Sequence, residues 1–502
     1  DGCERGPQIV RASIDSAAEA AAVTKAAPPD QAAVPLVVDV DGTLVRSDLL
    51  VEAVFRFLAG QPHGAVALVR WWWRGKAVLK DELARRVALP AAHLPYNDAV
   101  LDVIHAARKA GRPVFLASAS PRARVEEIAA HLGLFDGVFA SDRTSNLKGA
   151  QKARALVDAF GERGFDYLGD GPGDGPVWRL ARRALAVRGG AAALRRSTAE
   201  TAETGIVDVP AVRWGAYLEA LRPQQWTKNL LVFLPLLAAQ SFTLAAFAAA
   251  ASAFAVFSLA ASGAYVVNDL ADLQDDRRHA TKRRRPFAAA AVPLWHGVAL
   301  APLLLLGAVL FGALLSLEFL VVLLVYVATT FLYSFLLRHK PLIDVLTLAM
   351  LYTLRAIAGA MAIATTVSPW LLAFCLALFM CLAIVKRLTE LAKAPRDEPT
   401  ARIRGYYRED TVILAALAAA SGFGSVLVLA LYINTDQVRT LYTTPDVLWG
   451  VCLVLLYWIS RILLLSHRGQ ITDDPIVWAL RNRVSQLTVA SALALVVTAA
   501  YV

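Results

Sequence analysis

Residues Asn268–Pro286 read NDLADLQDDRRHATKRRRP and lie between two long apolar runs. Acids come first and bases follow. Asn268, Asp269, Asp272 and Asp276 fall at i, i+1, i+4 and i+8. In a helix this spacing puts Asn268, Asp272 and Asp276 on one face, with Asp269 beside them. Arg277, Arg278, His279, Lys282, Arg283, Arg284 and Arg285 come next. Carboxylates at the mouth of a membrane span, followed by clustered cations, suit a diphosphate carried by Mg2+. The carboxylates take the metal and the cations take phosphate oxygens. A loop that only orients the chain in a membrane needs the bases but not the acids.

The rest of the chain fits a membrane setting. Its 502 residues are 57% hydrophobic, with a mean hydropathy of +0.50. That is too long for one soluble domain and too apolar for a wholly soluble chain. Residues 1 to about 220 read as soluble; from about 226 onward, apolar runs of spanning length dominate. The net charge of +10 sits largely between those runs, so a membrane explains it and no nucleic-acid partner is expected. Cys3, Cys375, Cys381 and Cys452 are scattered without metal-ligand spacing, which argues against disulfides and zinc. Residues 1–33, rich in Ala, Ser, Asp and Pro, read as a flexible tail without a secretory signal pattern.

Hydropathy predicts about nine spans, near 227–242, 244–267, 292–314, 317–337, 342–363, 369–389, 411–433, 447–465 and 482–501. One set of loops carries Arg277 to Arg285, Arg338 with Lys340, Lys386 to Arg408, and Arg461 to Arg483; the other carries only Arg439. The positive-inside rule places the first set in the cytoplasm. A multi-pass protein of the inner (plasma) membrane follows, with a cytoplasmic N-terminal domain and an external C-terminus. Residues 196–213 read as a linker, and Trp214 to Leu221 as an interfacial amphipathic helix.

In the soluble part, Leu36-Val37-Val38 runs into Asp39-Val40-Asp41-Gly42-Thr43. A nucleophilic carboxylate at a strand end works with a second acid two residues on, which protonates the leaving group and then activates water. A second strand, Pro113–Ser118, ends in a hydroxyl. Lys148 offers a cation, and Phe165–Gly169 leads to Asp170 and Asp174, acids suited to Mg2+. These four pieces in this order resemble the haloacid dehalogenase (HAD) phosphatases, in their phosphoserine-phosphatase-like branch, over 34–195. The resemblance implies a Rossmann-like α/β domain with a helical cap, here about 48–100. It implies that Asp39 attacks phosphorus, Asp41 is the acid/base, Ser118 and Lys148 bind the phosphoryl group, and Asp39, Asp170 and Asp174 make the Mg2+ site. Trp71-Trp72-Trp73 in the cap read as core, against a competing reading in which they grip a substrate held in the bilayer.

In the apolar part, polar residues gather toward one side: Lys228 and Asn229 before the first span, then Tyr333, Lys340, Lys386, Arg387 and Glu390. Arg355 lies within the fifth apolar run, where an ionisable group is costly enough to suggest function. The pattern Asn268-Asp269-x-x-Asp272-x-x-x-Asp276, followed by His279 and Lys282-x-x-Arg285-Pro286, resembles the UbiA superfamily of intramembrane prenyltransferases, departing at Ala280, where many relatives have Pro. This implies an all-α transmembrane bundle over 214–502 with Mg2+-diphosphate held by the aspartates. Aromatic-acceptor members usually carry a second DxxxD after the sixth span; here the residues are Lys386-Arg387-Leu388-Thr389-Glu390-Leu391. With LRPQQWTKN at 221–229, this resembles the decaprenyl-phosphate phosphoribosyltransferase branch. The resemblance implies phosphoribosyl diphosphate as donor and polyprenyl phosphate as acceptor in membrane lipid. Candidate phosphate contacts are Lys228, Lys282, Arg283, Arg285, Lys386 and Arg387. The runner-up is transfer of a prenyl group to an aromatic acceptor beside a separate or regulatory phosphatase. Self-association is left open.

Overall fold

Leu36, Val37 and Val38 are all buried and form β1 (Leu36–Val38). An apolar run without alternation is what a strand needs when both faces of its sheet are covered. In this computed structural model residues 34–142, 146–198, 203–209, 212–393, 404–471 and 474–502 are described, and the tail expected over 1–33 lies outside them. The chain divides into two units. One runs to Ala53 and resumes over Ala67–Ala211; the other takes Val54–Val66 and Val212–Val502.

The first unit is built on a sheet of six parallel strands. After β1 come β2 (Val114–Pro121), β3 (Gly137–Ser141), β4 (Asp166–Gly169), β5 (Arg183–Val187) and β6 (Glu203–Val207). Their spatial order is β3-β2-β1-β4-β5-β6. The connections leave β1 in opposite directions, so a crevice opens at its carboxyl end, where open α/β sheets place ligands. The stretch expected as a cap is helical over α1 (Leu49–Gly60), α2 (Ala65–Trp73) and α3 (Lys76–Arg86). Trp71 is buried, with the Arg86 guanidinium 4.8 Å from its ring, whereas Trp72 and Trp73 are exposed. The core reading thus fits one tryptophan of the three.

The expected linker at 196–213 is corrected. Residues Glu203–Val207 pair with β5 in the register Arg183↔Glu203 to Val187↔Val207. This stretch has few large apolar residues because an edge strand makes hydrogen bonds on one side only and needs little side-chain burial.

In the second unit eight helices among the described residues are long and apolar enough to cross a membrane. They are Leu244–Ala271, Leu294–Leu315, Leu317–Leu337, Ile343–Ala362, Pro369–Ala392, Arg408–Ile433, Pro445–His467 and Arg483–Tyr501. The first expected span, 227–242, is not among them. Residues Pro223–Phe233 form a 3-10 run and Leu234–Ala238 a short α-helix. Pro223, Pro235 and the left-handed backbone at Arg222 (φ 54°) explain this, because proline removes a donor and blocks a straight α-helix. The broken stretch packs against the helices Leu244–Ala271 and Ile343–Ala362. Gly359 makes that contact close: a Cβ there would lie 2.0 Å from the Val232 carbonyl oxygen. Ile343–Ala362 and Pro369–Ala392 are the most buried spans, at 67% and 50%, so they form the centre of the bundle. Trp214–Leu221 is helical as expected, with Ala216 and Ala220 buried and Trp214 exposed.

Candidate active sites

At the end of β1, the Asp39 amide donates to the Leu168 carbonyl (2.9 Å) and so fixes the acid beside β4. Carboxylate oxygens of Asp39, Asp170 and Asp174 all lie within 4.8 Å of one another. Hard oxygen donors at this spacing fit Mg2+. Gly42 (φ 78°) turns the chain, and a Cβ there would lie 2.1 Å from Asp170 Oδ2. Glycine is therefore needed both for its backbone angle and for the room it leaves.

Crowding of acids sets their protonation. Burial first, then Asp174 and Asp170, lifts Asp39 well above the usual carboxylate range, while Lys152 opposes the lift. Burial and Asp174 push Asp170 up to about 7. Asp41 is also raised, by burial and then Asp48, against hydrogen bonds from the Leu49 amide (2.9 Å) and Ser120 Oγ (2.7 Å). A buried acid with a raised pKa, two residues from a carboxylate at the metal position, is equipped to donate a proton to a leaving group.

The cation of this site differs from the expected one. Lys148 is exposed. Lys152, on α4 (Ala150–Phe160), reaches in instead: its Nζ lies 2.6 Å from Asp39 Oδ1, 3.3 Å from Asp174 Oδ1 and 2.8 Å from the Tyr167 hydroxyl. Helical geometry turns Lys152 toward the strand ends, whereas Lys148 precedes the helix at a left-handed glycine, Gly149 (φ 57°). Ser118, expected to bind the phosphoryl group, is buried and donates to Asp41 Oδ2 (3.2 Å). Ser120, which sequence reasoning missed, bonds the same oxygen. The cap adds Lys80, whose Nζ donates to the Ala119 carbonyl (2.6 Å) within electrostatic reach of Asp41 and Asp48. Beside it a narrow cleft is lined by Leu49, Leu50, Leu83, Leu89, Lys80 and Ser120.

In the second unit the acids of the opening motif straddle a break. Asn268 and Asp269 end the helix Leu244–Ala271, Asp272 is the turn, and Asp276 lies in Leu273–Arg278. Backbone bonds from Asp272 to Asn268 and from Asp276 to Asp272, both 2.8 Å, carry the helical spacing across. The single-face expectation holds only in part. Asp269 is bonded by Arg222 and Arg285, and Arg285 NH1 also meets Asp276 at 2.6 Å. Asp272 instead pairs with Arg338 at 2.9 and 3.0 Å. Among the described residues no three of these acids converge as Asp39, Asp170 and Asp174 do. Their oxygen chemistry suits Mg2+, with Asp269 and Asp276 as the adjacent pair. Asn268 is half-buried next to them, while Lys282, Arg283 and Lys340 are exposed, Lys282 within electrostatic reach of Asp276.

Two further networks lie at the same end of the bundle. Arg387 is buried and bonds Asp344 (2.6 Å), Glu390 and the Tyr333 hydroxyl (2.9 Å). Tyr406 also donates to Asp344. Arg387, expected as a phosphate contact, is here paired with internal acids, and Glu390 and Tyr333 belong to the same network. Lys386, one residue earlier, points elsewhere: its Nζ lies 3.0 Å from Asp474 Oδ2, and Lys228 Nζ lies 2.9 Å from the same oxygen. Burial opposes the charge of Asp474, yet the two lysines hold its carboxyl well below the usual range. Arg355 is buried against Asn229 Oδ1 (2.9 Å), the Tyr326 hydroxyl (3.0 Å) and the Leu351 carbonyl, with its guanidinium over the rings of Tyr326 and Tyr352. Sequence reasoning missed Asp474, which follows Asp473 and precedes Pro475. It also assigned no ligand role to Arg222 or Arg338, although both stand in the polar segments it noticed.

Comparisons with known proteins find relatives of both parts of the chain. Residues 229–470 match the UbiA prenyltransferase family and residues 65–179 match haloacid dehalogenase-like hydrolase. The uncharacterized protein y4nM of Sinorhizobium fredii is 35% identical over 457 residues, covering 90% of this chain and 88% of that protein. The nodulation protein NoeC of Azorhizobium caulinodans is 36% identical, over 53% of this chain and 87% of its own length. A decaprenyl-phosphate phosphoribosyltransferase of Mycolicibacterium smegmatis is 34% identical, over 54% of this chain and 87% of its own. Among solved structures, a UbiA homolog from Archaeoglobus fulgidus bound to GPP and Mg2+ is similar at 15% identity and a TM-score of 0.43, over 56% of this chain and 99% of that one. The chain is an enzyme and a multi-pass membrane protein: it belongs to the UbiA prenyltransferase family and carries a haloacid dehalogenase-like hydrolase domain ahead of the transferase.

Proposed function

We propose that the transferase domain moves 5-phosphoribose from phosphoribosyl diphosphate to a polyprenyl phosphate of decaprenyl type. The hydrolase domain then removes the 5-phosphate to leave polyprenyl-phosphoryl ribose. The observation that carries this reading is the division of charge at one end of the bundle. Acids interleaved with arginines at Asp269, Asp276, Arg222 and Arg285 suit a diphosphate with its metal. Lys228 and Lys386 offer a separate cationic site. A donor with a diphosphate at one end and a phosphate at the other needs both kinds of site. The similarity to a decaprenyl-phosphate phosphoribosyltransferase supports the same substrates.

In the transfer, a phosphate oxygen of the lipid attacks the anomeric carbon as the bond from that carbon to diphosphate breaks. The attacking oxygen is already anionic at neutral pH, so the chain supplies no strong base. Arg285, between Asp269 and Asp276, is placed to take charge as it builds on the departing diphosphate. Asp269 and Asp276 would hold Mg2+, which neutralises diphosphate charge when bound. Apolar space for a lipid tail exists in a cavity of about 490 Å3 whose lining includes Leu237, Trp370, Phe374, Tyr432 and Leu455.

In the hydrolysis, Asp39 attacks the phosphomonoester phosphorus while Asp41 protonates the departing ribose oxygen. Asp41 then takes a proton from the water that cleaves the aspartyl phosphate. Asp170 and Asp174, with Asp39, would hold Mg2+, which offsets phosphoryl charge. Both domains work on the cytoplasmic face of the inner membrane in this scheme.

The test is incubation of purified protein with Mg2+, labelled phosphoribosyl diphosphate and polyprenyl phosphate, followed by lipid extraction. Wild type yields labelled ribosyl lipid, Asp39→Asn accumulates the phosphorylated lipid, and Asp269→Asn yields no labelled lipid. Label entering lipid at the wild-type rate in Asp269→Asn, or identical products from wild type and Asp39→Asn, refutes the corresponding assignment. Transfer only from a prenyl diphosphate to an aromatic acceptor refutes the substrates.

A further inference from the structure

Two buried cations, Lys228 and Arg355, and the half-buried Lys386 gather beside Asp474 in the bundle. Lys228 and Lys386 both bond Oδ2 of Asp474, at 2.9 and 3.0 Å. Arg355 has only neutral partners: Asn229, Tyr326 and the Leu351 carbonyl. It forms no ion pair among the described residues. Yet it lies within electrostatic reach of Lys228, and both stand over the ring of Tyr352. Among the described residues the cluster therefore carries an excess of two positive charges, on two buried side chains and one half-buried one. Buried charge left without a counter-charge is costly. A phosphate dianion supplies the missing charge.

The geometry suits that ligand. Two ammonium groups within 3.0 Å of one oxygen stand no more than about 6 Å apart. A phosphate group bridges such a gap with one charge-assisted N–H···O bond to each nitrogen. The Asp474 carboxylate is held independently of the lysines, because its Oδ1 accepts the Ile476 amide (3.2 Å) at the start of Pro475–Arg481. Losing the lysines thus leaves that short helix capped. The cluster also adjoins the diphosphate site: Tyr265 lies 5.2 Å from the Arg222 guanidinium and within electrostatic reach of Lys228.

We propose that Lys228, Lys386 and Arg355 form a second phosphate subsite of the transferase, and that Asp474 is its resident counter-ion, displaced when a phosphomonoester dianion binds. Asp474 is a positioning residue: it keeps the two lysines aimed at one point, and competes with the ligand for them. The assignment to transfer chemistry rests on the proposed function; the anion-binding site itself does not. The 5-phosphate of the donor and the phosphate of the acceptor lipid are both phosphomonoesters and fit equally.

Asp474→Asn keeps the cap oxygen and removes the competing charge. Binding of labelled inorganic phosphate to the full-length protein, by equilibrium dialysis in EDTA, becomes about tenfold tighter in this variant, the factor carried by roughly 1.4 kcal/mol of competition removed. Lys386→Met, with Asp474 untouched, loses the site, and phosphate held by the hydrolase domain is unchanged across all three proteins. A merely structural Asp474 lowers the melting temperature without tightening phosphate binding. Phosphate binding to Asp474→Asn that is equal to or weaker than wild type overturns the proposal, as does wild-type binding in Lys386→Met. Where Asp474→Asn does not fold, the Lys386→Met result decides alone. Turnover separates the sources: Lys386→Met raises the KM of phosphoribosyl diphosphate if the donor's 5-phosphate occupies the subsite, and that of polyprenyl phosphate if the acceptor does. A rise in neither refutes the link to transfer. Tighter phosphate binding in Asp474→Asn without any ribosyl product from wild type refutes the substrates but leaves the subsite standing.

Discussion

Gly359→Ala tests whether the broken stretch Pro223–Phe233 sets the geometry of the transferase site. The new methyl carbon would lie 2.0 Å from the Val232 carbonyl oxygen and 2.8 Å from its carbon. Both neighbours are backbone, so no side chain can rotate away; the stretch itself has to move by more than 1 Å. Overpacking of this kind costs about 1–3 kcal/mol. The movement also pulls Asn229 from Arg355, now 2.9 Å apart, and a hydrogen bond to a charged group is worth about 1.5–3 kcal/mol. Together these give roughly 3–5 kcal/mol of destabilisation, with Lys228 shifted off Asp474. The assay is thermal unfolding of the detergent-solubilised protein alongside ribosyl transfer. Gly424→Ala is the control, since nothing lies within 4 Å of a Cβ at that helical position; it should be neutral or stabilise by up to about 1 kcal/mol. Equal melting temperatures and equal transfer rates for Gly359→Ala and Gly424→Ala would refute the reasoning.

In the hydrolase domain, Lys152→Met should cut phosphomonoester turnover by roughly 100-fold or more, whereas exposed Lys148→Met should change it by less than about threefold; the reverse order, measured on the same substrate, restores Lys148 to the site. Mg2+ binding should depend on pH through Asp170, pushed up to about 7 by burial and Asp174: below that pH a proton competes with the metal and apparent affinity falls about tenfold per unit, so calorimetric affinities that stay constant from pH 5.5 to 8 sink the assignment. The same group makes the metal-free fold less stable as pH climbs from its ordinary value of 3.8 toward 7, because its folded pKa is raised and the ionised form is the disfavoured one.

Much of this was legible in the sequence because the signals were local. A strand end followed by acids at Asp39 and Asp41 needs no tertiary information, and neither does the length of an apolar run. What was missed depended on pairing across the fold. Lys148 and Lys152 are both lysines near a helix start, and only the direction of the helix decides which of them reaches Asp39. Arg387 looked available for phosphate because its partner Asp344 lies 43 residues away. Asp474 gave no usable signal, since acids before a proline, here Asp473-Asp474-Pro475, are common in loops. Hydropathy counted 227–242 as a span because it weighs side chains and ignores backbone; Pro223 and Pro235 made the difference. Glu203–Val207 was passed over for the opposite reason, since its strand is held mainly by backbone bonds to β5 rather than by apolar side chains.

Both sites meet the same electrostatic problem in the same way. Each must hold several buried like charges ready for a charged ligand, and each fills the gap with an internal opposite charge: Lys152 between Asp39 and Asp174, Arg285 between Asp269 and Asp276, Asp474 between Lys228 and Lys386. A bare cluster would lose its charge by protonation or deprotonation, or push its members apart. A paired cluster keeps both, so ligand entry exchanges one partner for another rather than assembling a site from scattered groups. Desolvation is met during folding, and binding is left with the difference between two pairings. That difference is small for a ligand of the same charge as the resident group and larger for a dianion or a metal ion, which carry more charge than the group they displace. The arrangement therefore favours phosphates over the carboxylates and chloride that surround them, and it does so without any residue that reads the rest of the substrate. In the proposed reaction, recognition of the sugar and of the lipid then falls to the surrounding walls, such as the Tyr265, Tyr326 and Tyr352 bed and the apolar cavity lined by Trp370 and Phe374.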